Sequence, residues 1–96
     1  MITSLQNEQV KQVVTLHKNK GRALSREYLV EGKRFVREAL LRKAKIRIIY
    51  FVNNKEVNSL VEQASLLGIT VQEVSAPVMK KMAATEEPQG ILAVIS

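Results

Sequence analysis

Along this 96-residue chain the apolar positions switch repeatedly between a helical period and short continuous runs. Between Asn7 and Lys18, residues Val10, Val13, Val14 and His17 recur at i, i+3, i+4 and i+7, which predicts a helix with one apolar face. Asn7 is placed to cap it with its side-chain oxygen. The polar stretch KNKGRALSRE follows and predicts a flexible link, with Gly21 stopping the helix. Tyr28–Val30 is a short apolar run, read as a strand. From Lys33 to Lys43 the helical period returns, with Phe35, Val36, Ala39 and Leu40 as its inward stripe.

The second half continues the alternation. IRIIYFV, Ile46–Val52, is rich in β-branched and aromatic residues and suits a strand covered on both faces. Asn53 and Asn54 offer a cap for a helix over Lys55–Leu67, where Val57, Leu60, Val61, Ala64 and Leu67 keep the period and Gly68 ends it. Ile69–Val74 is a strand, and Ser75 with Pro77 starts a helix that turns Val78, Met79, Met82 and Ala83 inward. Glu86–Gly90 is a turn before a buried strand, Ile91–Ile95. Strands alternating with helices predict one α/β domain over residues 1–96, a three-layer α/β/α sandwich with a four-stranded, mainly parallel sheet. Because the last apolar run meets the final residue, the chain is expected to be cut from a longer protein.

Composition narrows the function classes. Residues 1–47 hold twelve Lys or Arg against four Glu, whereas residues 48–96 hold three Lys against five Glu. The net +6 therefore comes from the first half alone. Such asymmetry favours a polyanionic partner, nucleic acid or an anionic membrane surface, over a charge kept for solubility. No run approaches the ~20 apolar residues that span a bilayer, and no helix pairs the basic face with large exposed apolar residues, so nucleic acid is the stronger reading. The N-terminus lacks the basic-then-apolar layout of a secretory signal. With no cysteine there is no disulfide framework, and an intracellular, cytoplasmic protein is the default expectation.

Catalytic chemistry is scarce. The chain has no Asp and no Cys, and His17 is its single histidine, so neither a nucleophile with base and orienter nor a metal-ligand cluster is expected. His17, on the apolar edge of its helix, reads as a packed or partly exposed histidine. Glu86 and Glu87 before Pro88 read as a solvated turn, and Met79 and Met82 as core filler. The four glycines stand singly, without the spacing of a phosphate or dinucleotide loop. These 96 residues are not expected to be an enzyme by themselves, nor to hold a cofactor or metal.

The basic residues are better organised. At about 100° per residue, Lys33, Arg34 and Arg37 lie within about 100° of one another on the solvent side of their helix. Lys18, Lys20, Arg22 and Arg26 precede the first strand. A strand followed by a helix places its loop at the carboxyl edge of the sheet, where α/β ligands sit. Cations at the start of a helix oppose its macrodipole, so an anionic substrate is the expected reason for them.

The runs ITSLQNEQVKQVVTLHKNKGR, YLVEGKRFVREAL and TEEPQGILAVIS together resemble the N-terminal substrate-binding domain of SpoU/TrmH RNA methyltransferases, of the SPOUT superfamily, over essentially the whole chain. The resemblance implies a fold like that of kink-turn-binding ribosomal proteins. It also implies a protein that methylates a ribose 2′-hydroxyl with S-adenosylmethionine, on ribosomal or transfer RNA. This domain would bind RNA, ribosomal by family habit, and present it to a downstream knotted domain carrying the cofactor site and the dimer contact. The family's basic position before the first strand falls on Arg22, its Glu-Gly signature on Glu31 and Gly32, and the next basic position on Arg34. Its Pro-Gln-Gly is Pro88, Gln89 and Gly90, and every cofactor-binding motif is absent from these residues. Glu31 is expected to orient Arg22 or Arg34, or to cap the following helix, with Gly32 structural. A stand-alone ribosomal-type RNA-binding module is the alternative reading, and a protein-interaction adaptor a third.

Overall fold

The computed structural model describes residues 1–96. They form α1 (Glu8–Thr15), α2 (Asn19–Ser25), β1 (Tyr28–Glu31), α3 (Lys33–Leu41), β2 (Ile46–Phe51), α4 (Asn58–Leu66), β3 (Val71–Glu73), α5 (Ala76–Ala83) and β4 (Ile91–Ile95). Four strands make one sheet in the order β1-β4-β2-β3. The alternating faces of the strands feed two cores. Ile48, Tyr50, Leu92 and Val94 pack with Val10, Val13, Val78 and Met82 on the α1/α5 side. Ile49, Ile91 and Ala93 pack with Val36, Leu60 and Ala64 on the α3/α4 side. The three layers expected from the alternation are therefore present.

The sheet is mixed, not mainly parallel. β2 and β3 pair in parallel, but β4 pairs antiparallel with both β1 and β2. β1, β2 and β3 all point the same way; only β4 is reversed, and its interior position makes two ladders of three antiparallel. The reason lies in the connection. α5 is 8 residues long, about 12 Å at 1.5 Å per residue, and the turn after it returns the chain to the edge that β3 left. The periodicity of α5 carries no record of that return. β4 is buried at all five positions, as a strand enclosed on both faces and both edges must be.

Local differences have local causes. KNKGRALSRE is not a link: Asn19–Ser25 is helical, and Gly21 lies within the helix. A Cβ there would stand 2.0 Å from the Thr15 carbonyl oxygen, so glycine lets α2 close against the end of α1. α1 ends at Thr15, which takes His17 off the apolar face and leaves it exposed, its ring nitrogen Nε2 bonded to the Met82 carbonyl. Phe35 is 60% exposed rather than inward. α3 covers β1 and β4, and β1 is an edge strand, so a ring at the margin of the stripe overhangs the sheet. α4 starts at Asn58, because Asn54 accepts from the Glu56 amide and braces a turn ahead of it. At the far edge the N-terminus joins the sheet: the Ile2 amide donates to the Glu73 carbonyl at 3.0 Å and the Ser75 amide to Ile2 at 2.9 Å.

Gly21→Ala tests the α1–α2 contact with a reversal of sign. Helix propensity alone favours alanine by ~1 kcal/mol. The clash with Thr15 should instead cost about 1–3 kcal/mol, lowering the thermal midpoint by several degrees. A midpoint equal to or above that of the unaltered chain in a melting experiment would refute the close approach.

Candidate nucleic-acid interface

The carboxyl ends of β1, β2 and β3 and the amino end of β4 share one edge of the sheet. Three segments meet there. Gly32 joins β1 to α3 with φ of +95°, a conformation that favours glycine. Its amide donates to the Ile91 carbonyl at 3.0 Å. Alongside, the Val52 amide donates to the Gly90 carbonyl at 2.9 Å, and the Asn54 side-chain amide to the Val52 carbonyl at 2.9 Å. Gln89 is thereby set against the start of α3, and its Oε1 accepts from the Lys33 backbone amide at 3.0 Å. One otherwise unpartnered donor of the first turn is satisfied across 56 positions of sequence.

Around this junction Lys33, Arg34 and Arg37 line a cleft of about 400 Å³ with Glu56, Val57 and Gln89. The solvent face expected for the three cations is real, and α4's approach closes it into a concavity. Lys33 reaches Glu56 at only 3.9 Å, with the Glu56 side chain 82% exposed, a pair worth little in water. The Arg34 and Arg37 side chains form no ion pair or hydrogen bond with the protein. Arg34 instead lies 6.0 Å from the centre of the Phe35 ring. Two free guanidinium groups, an ammonium and the positive pole of α3 converge on one opening. Mutual repulsion there is relieved by an anion.

The other candidate residues fall on the opposite face of the sheet. Leu29 packs into the α1/α5 core, and Glu31, two residues on, shares its side. Glu31, Arg22 and His17 line a second cleft of about 510 Å³ with Leu16, Leu29 and Leu92. Glu31 pairs with neither Arg22 nor Arg34, and it does not cap α3, which has no side-chain cap from its own flank. The strand's alternation turns it away from that helix. Arg22 donates to the Leu16 carbonyl at 3.0 Å and to Asn19, closing the end of α1. Burial pushes the Glu31 carboxyl above its ordinary range, with the nearby His17 pulling the other way. Lys18 and Lys20 border a shallow groove between α1 and α2 beside Gly21 and Leu24, and Arg26 is the exposed C-cap of α2. The seven cations thus form two groups flanking the edge strand β1, not one patch. Gln89 was legible as part of a Pro-Gln-Gly segment, but its partner Lys33 was not, because nothing local announces a contact across the sheet edge.

Residues 7–93 match the family of MRM3-like substrate-binding domains. The chain belongs to that family. A Synechocystis sp. protein named as an uncharacterized tRNA/rRNA methyltransferase is 33% identical over 97 residues, covering 99% of this chain and 35% of that relative. An rRNA methyltransferase from Sinorhizobium meliloti superposes with a TM-score of 0.83 at 26% identity, over 99% of this chain and 36% of that one. An RNA 2′-O ribose methyltransferase gives a TM-score of 0.78 at 28% identity, over 98% of this chain and 36% of that one. The resemblance to SpoU/TrmH methyltransferases holds in sequence and in fold. This substrate-binding domain spans about a third of the length of these relatives.

Glu31 yields a pH prediction. Its folded carboxyl titrates above the unfolded value of 4.5. Over the window between the two, the native state holds more protons than the unfolded one, so stability falls as pH rises through it. Glu31→Gln should therefore raise the thermal midpoint at pH 7, with the gain shrinking below about pH 4.5. A lowered midpoint at pH 7 would show that the ionised carboxylate makes a favourable contact.

Proposed function

We propose that this domain holds RNA, ribosomal or transfer, for an S-adenosylmethionine-dependent 2′-O-ribose methyltransferase domain that follows it in the full protein. The observation that carries this reading is the cleft where Lys33, Arg34 and Arg37 meet the start of α3 with two guanidinium groups unpaired. Phosphates of a nucleic acid match it in charge, and guanidinium forks match them in geometry. Lys18, Lys20, Arg22 and Arg26 extend the contact around β1. Ribosomal RNA is favoured among substrates by the Sinorhizobium relative's name. No helix is long and apolar enough to cross a membrane; we assign the whole protein to the cytoplasm, as a homodimer through its catalytic domain.

This chain's own residues do not fit the cofactor. S-adenosylmethionine carries a sulfonium cation, and of the two clefts at the sheet edge one presents Lys33, Arg34 and Arg37 against Glu56, the other Arg22 beside Glu31. The excess of cations in the first opposes it, and in the second Arg22 and Glu31 offset each other, leaving no net negative charge to draw it in. The methyl donor and the reacting groups belong to the following domain, and the part played here is to bind and orient the RNA strand.

Changing Lys33, Arg34 and Arg37 together to Gln should weaken binding to a ribosomal RNA hairpin at least tenfold while leaving the fold intact. The same change at Lys55, Lys80 and Lys81 should cost less than about threefold. For about five phosphate contacts, log K should fall with log salt at a slope of roughly −3.5 to −4.5. Equal losses from both triple variants, in titrations at fixed salt, would show that net charge binds RNA without a defined face.

A further inference from the structure

The overhang of α3 beyond the edge strand β1 leaves two aromatic rings, Phe35 and Tyr28, in solvent with no protein partner covering them. Phe35 is 60% exposed and Tyr28 48% exposed, although burial of either would stabilise the fold. Both border a shallow cleft of about 220 Å³ over the outer edge of β1, floored by Val30, Ala39 and Ile95. The Arg34 guanidinium stands 6.0 Å from the centre of the Phe35 ring. The same Arg34 lines the cationic cleft with Lys33 and Arg37. A largely apolar surface, rimmed by the Glu38–Arg42 ion pair, is thus continuous through the Arg34 side chain with the cationic cleft.

We propose that Phe35, with Arg34 and Tyr28 beside it, is a stacking platform for an unpaired nucleobase of the RNA held in the adjoining cleft. This rests on the RNA-binding reading and specifies its substrate as RNA with at least one unstacked base. Charge complementarity selects the occupant. An apolar protein partner would cover the rings but would not satisfy the unpaired guanidinium groups of Arg34, next to Phe35, and Arg37, two residues on. A duplex would satisfy the guanidinium groups but bury its bases away from the rings. A loop or bulge offers both a phosphate and a free aromatic face, the form in which side chains read RNA. Guanidinium and phenyl groups both stack on bases with little regard to sequence. The platform therefore selects secondary structure, not base identity.

The experiment compares a hairpin carrying an unpaired loop with a fully paired duplex of equal nucleotide number, using the 96-residue chain. Phe35→Ala should weaken hairpin binding about tenfold, within the range measured for single stacked bases. Duplex binding and the salt slope should not change. Phe35→Trp should restore hairpin affinity, and a 2-aminopurine placed in the loop should lose fluorescence on binding the unaltered chain but not Phe35→Ala. Unchanged hairpin affinity in Phe35→Ala, or equal losses on both RNAs, overturns the platform. A change in oligomeric state by light scattering with unchanged RNA affinity also overturns it, since the ring would then serve a protein contact. Failure of the unaltered chain to bind either RNA refutes the RNA-binding reading itself, a result distinct from the others.

Discussion

The antiparallel seating of β4 between β1 and β2 is the constraint on which the rest depends. Four of its five buried residues supply both cores, Leu92 and Val94 one and Ile91 and Ala93 the other, so the two helical layers meet through it. Because β4 enters the sheet at the edge where its neighbours leave, Gly90 and Ile91 hydrogen-bond to Val52 and Gly32 at that edge. Gln89 is then carried to the first turn of α3. A parallel β4 would begin at the opposite edge, and the cationic cleft would lose its Gln89 wall.

The position of the cations follows from the same arrangement. Lys33 and Arg34 at the start of α3 oppose its macrodipole, and no acidic residue lies in that turn to offset them. Other cations do have partners: Arg42 pairs with Glu38 at 3.1 Å, and Arg47 with Glu27. Pairing is thus available on this surface, and Arg34 and Arg37 are left without it where they share one cleft with Lys33 and the amino end of α3. The unfavourable term is small on an exposed helix and is readily offset by binding an anion.

What could be read from the sequence followed the strength of the period. Helix α3, strands β2 and β4, and the Ser75 cap of α5, which accepts from the Val78 amide, are where the apolar spacing and cap residues place them. Strand direction was not legible, because a buried run has no polarity and the reversal is set by the length of α5 and its turn. Helix α2 was hidden by its own composition: a glycine that looks like a stop serves a close helix contact. Phe35 satisfied the period yet faces outward, since the stripe does not record that β1 is an edge. Lys33, Arg34 and Arg37 were recognisable as a group because they share one helix. Their separation from Glu31 arises from the alternation of β1 and that from Arg22 from the packing of α2 against α1, both visible only once the layer on each side of the sheet is known.

The central claim is that RNA lies across the edge formed by the end of β1, with α2 and α3 on either side. Amide chemical shifts of the isotopically labelled chain, followed while a ribosomal RNA hairpin is added, test it most directly. The account predicts changes concentrated at residues 18–26 and 31–37, with α4 beyond its first turn and α5 unmoved. Changes spread evenly over Lys43, Lys45, Lys55, Lys80 and Lys81, or confined to them, would contradict it.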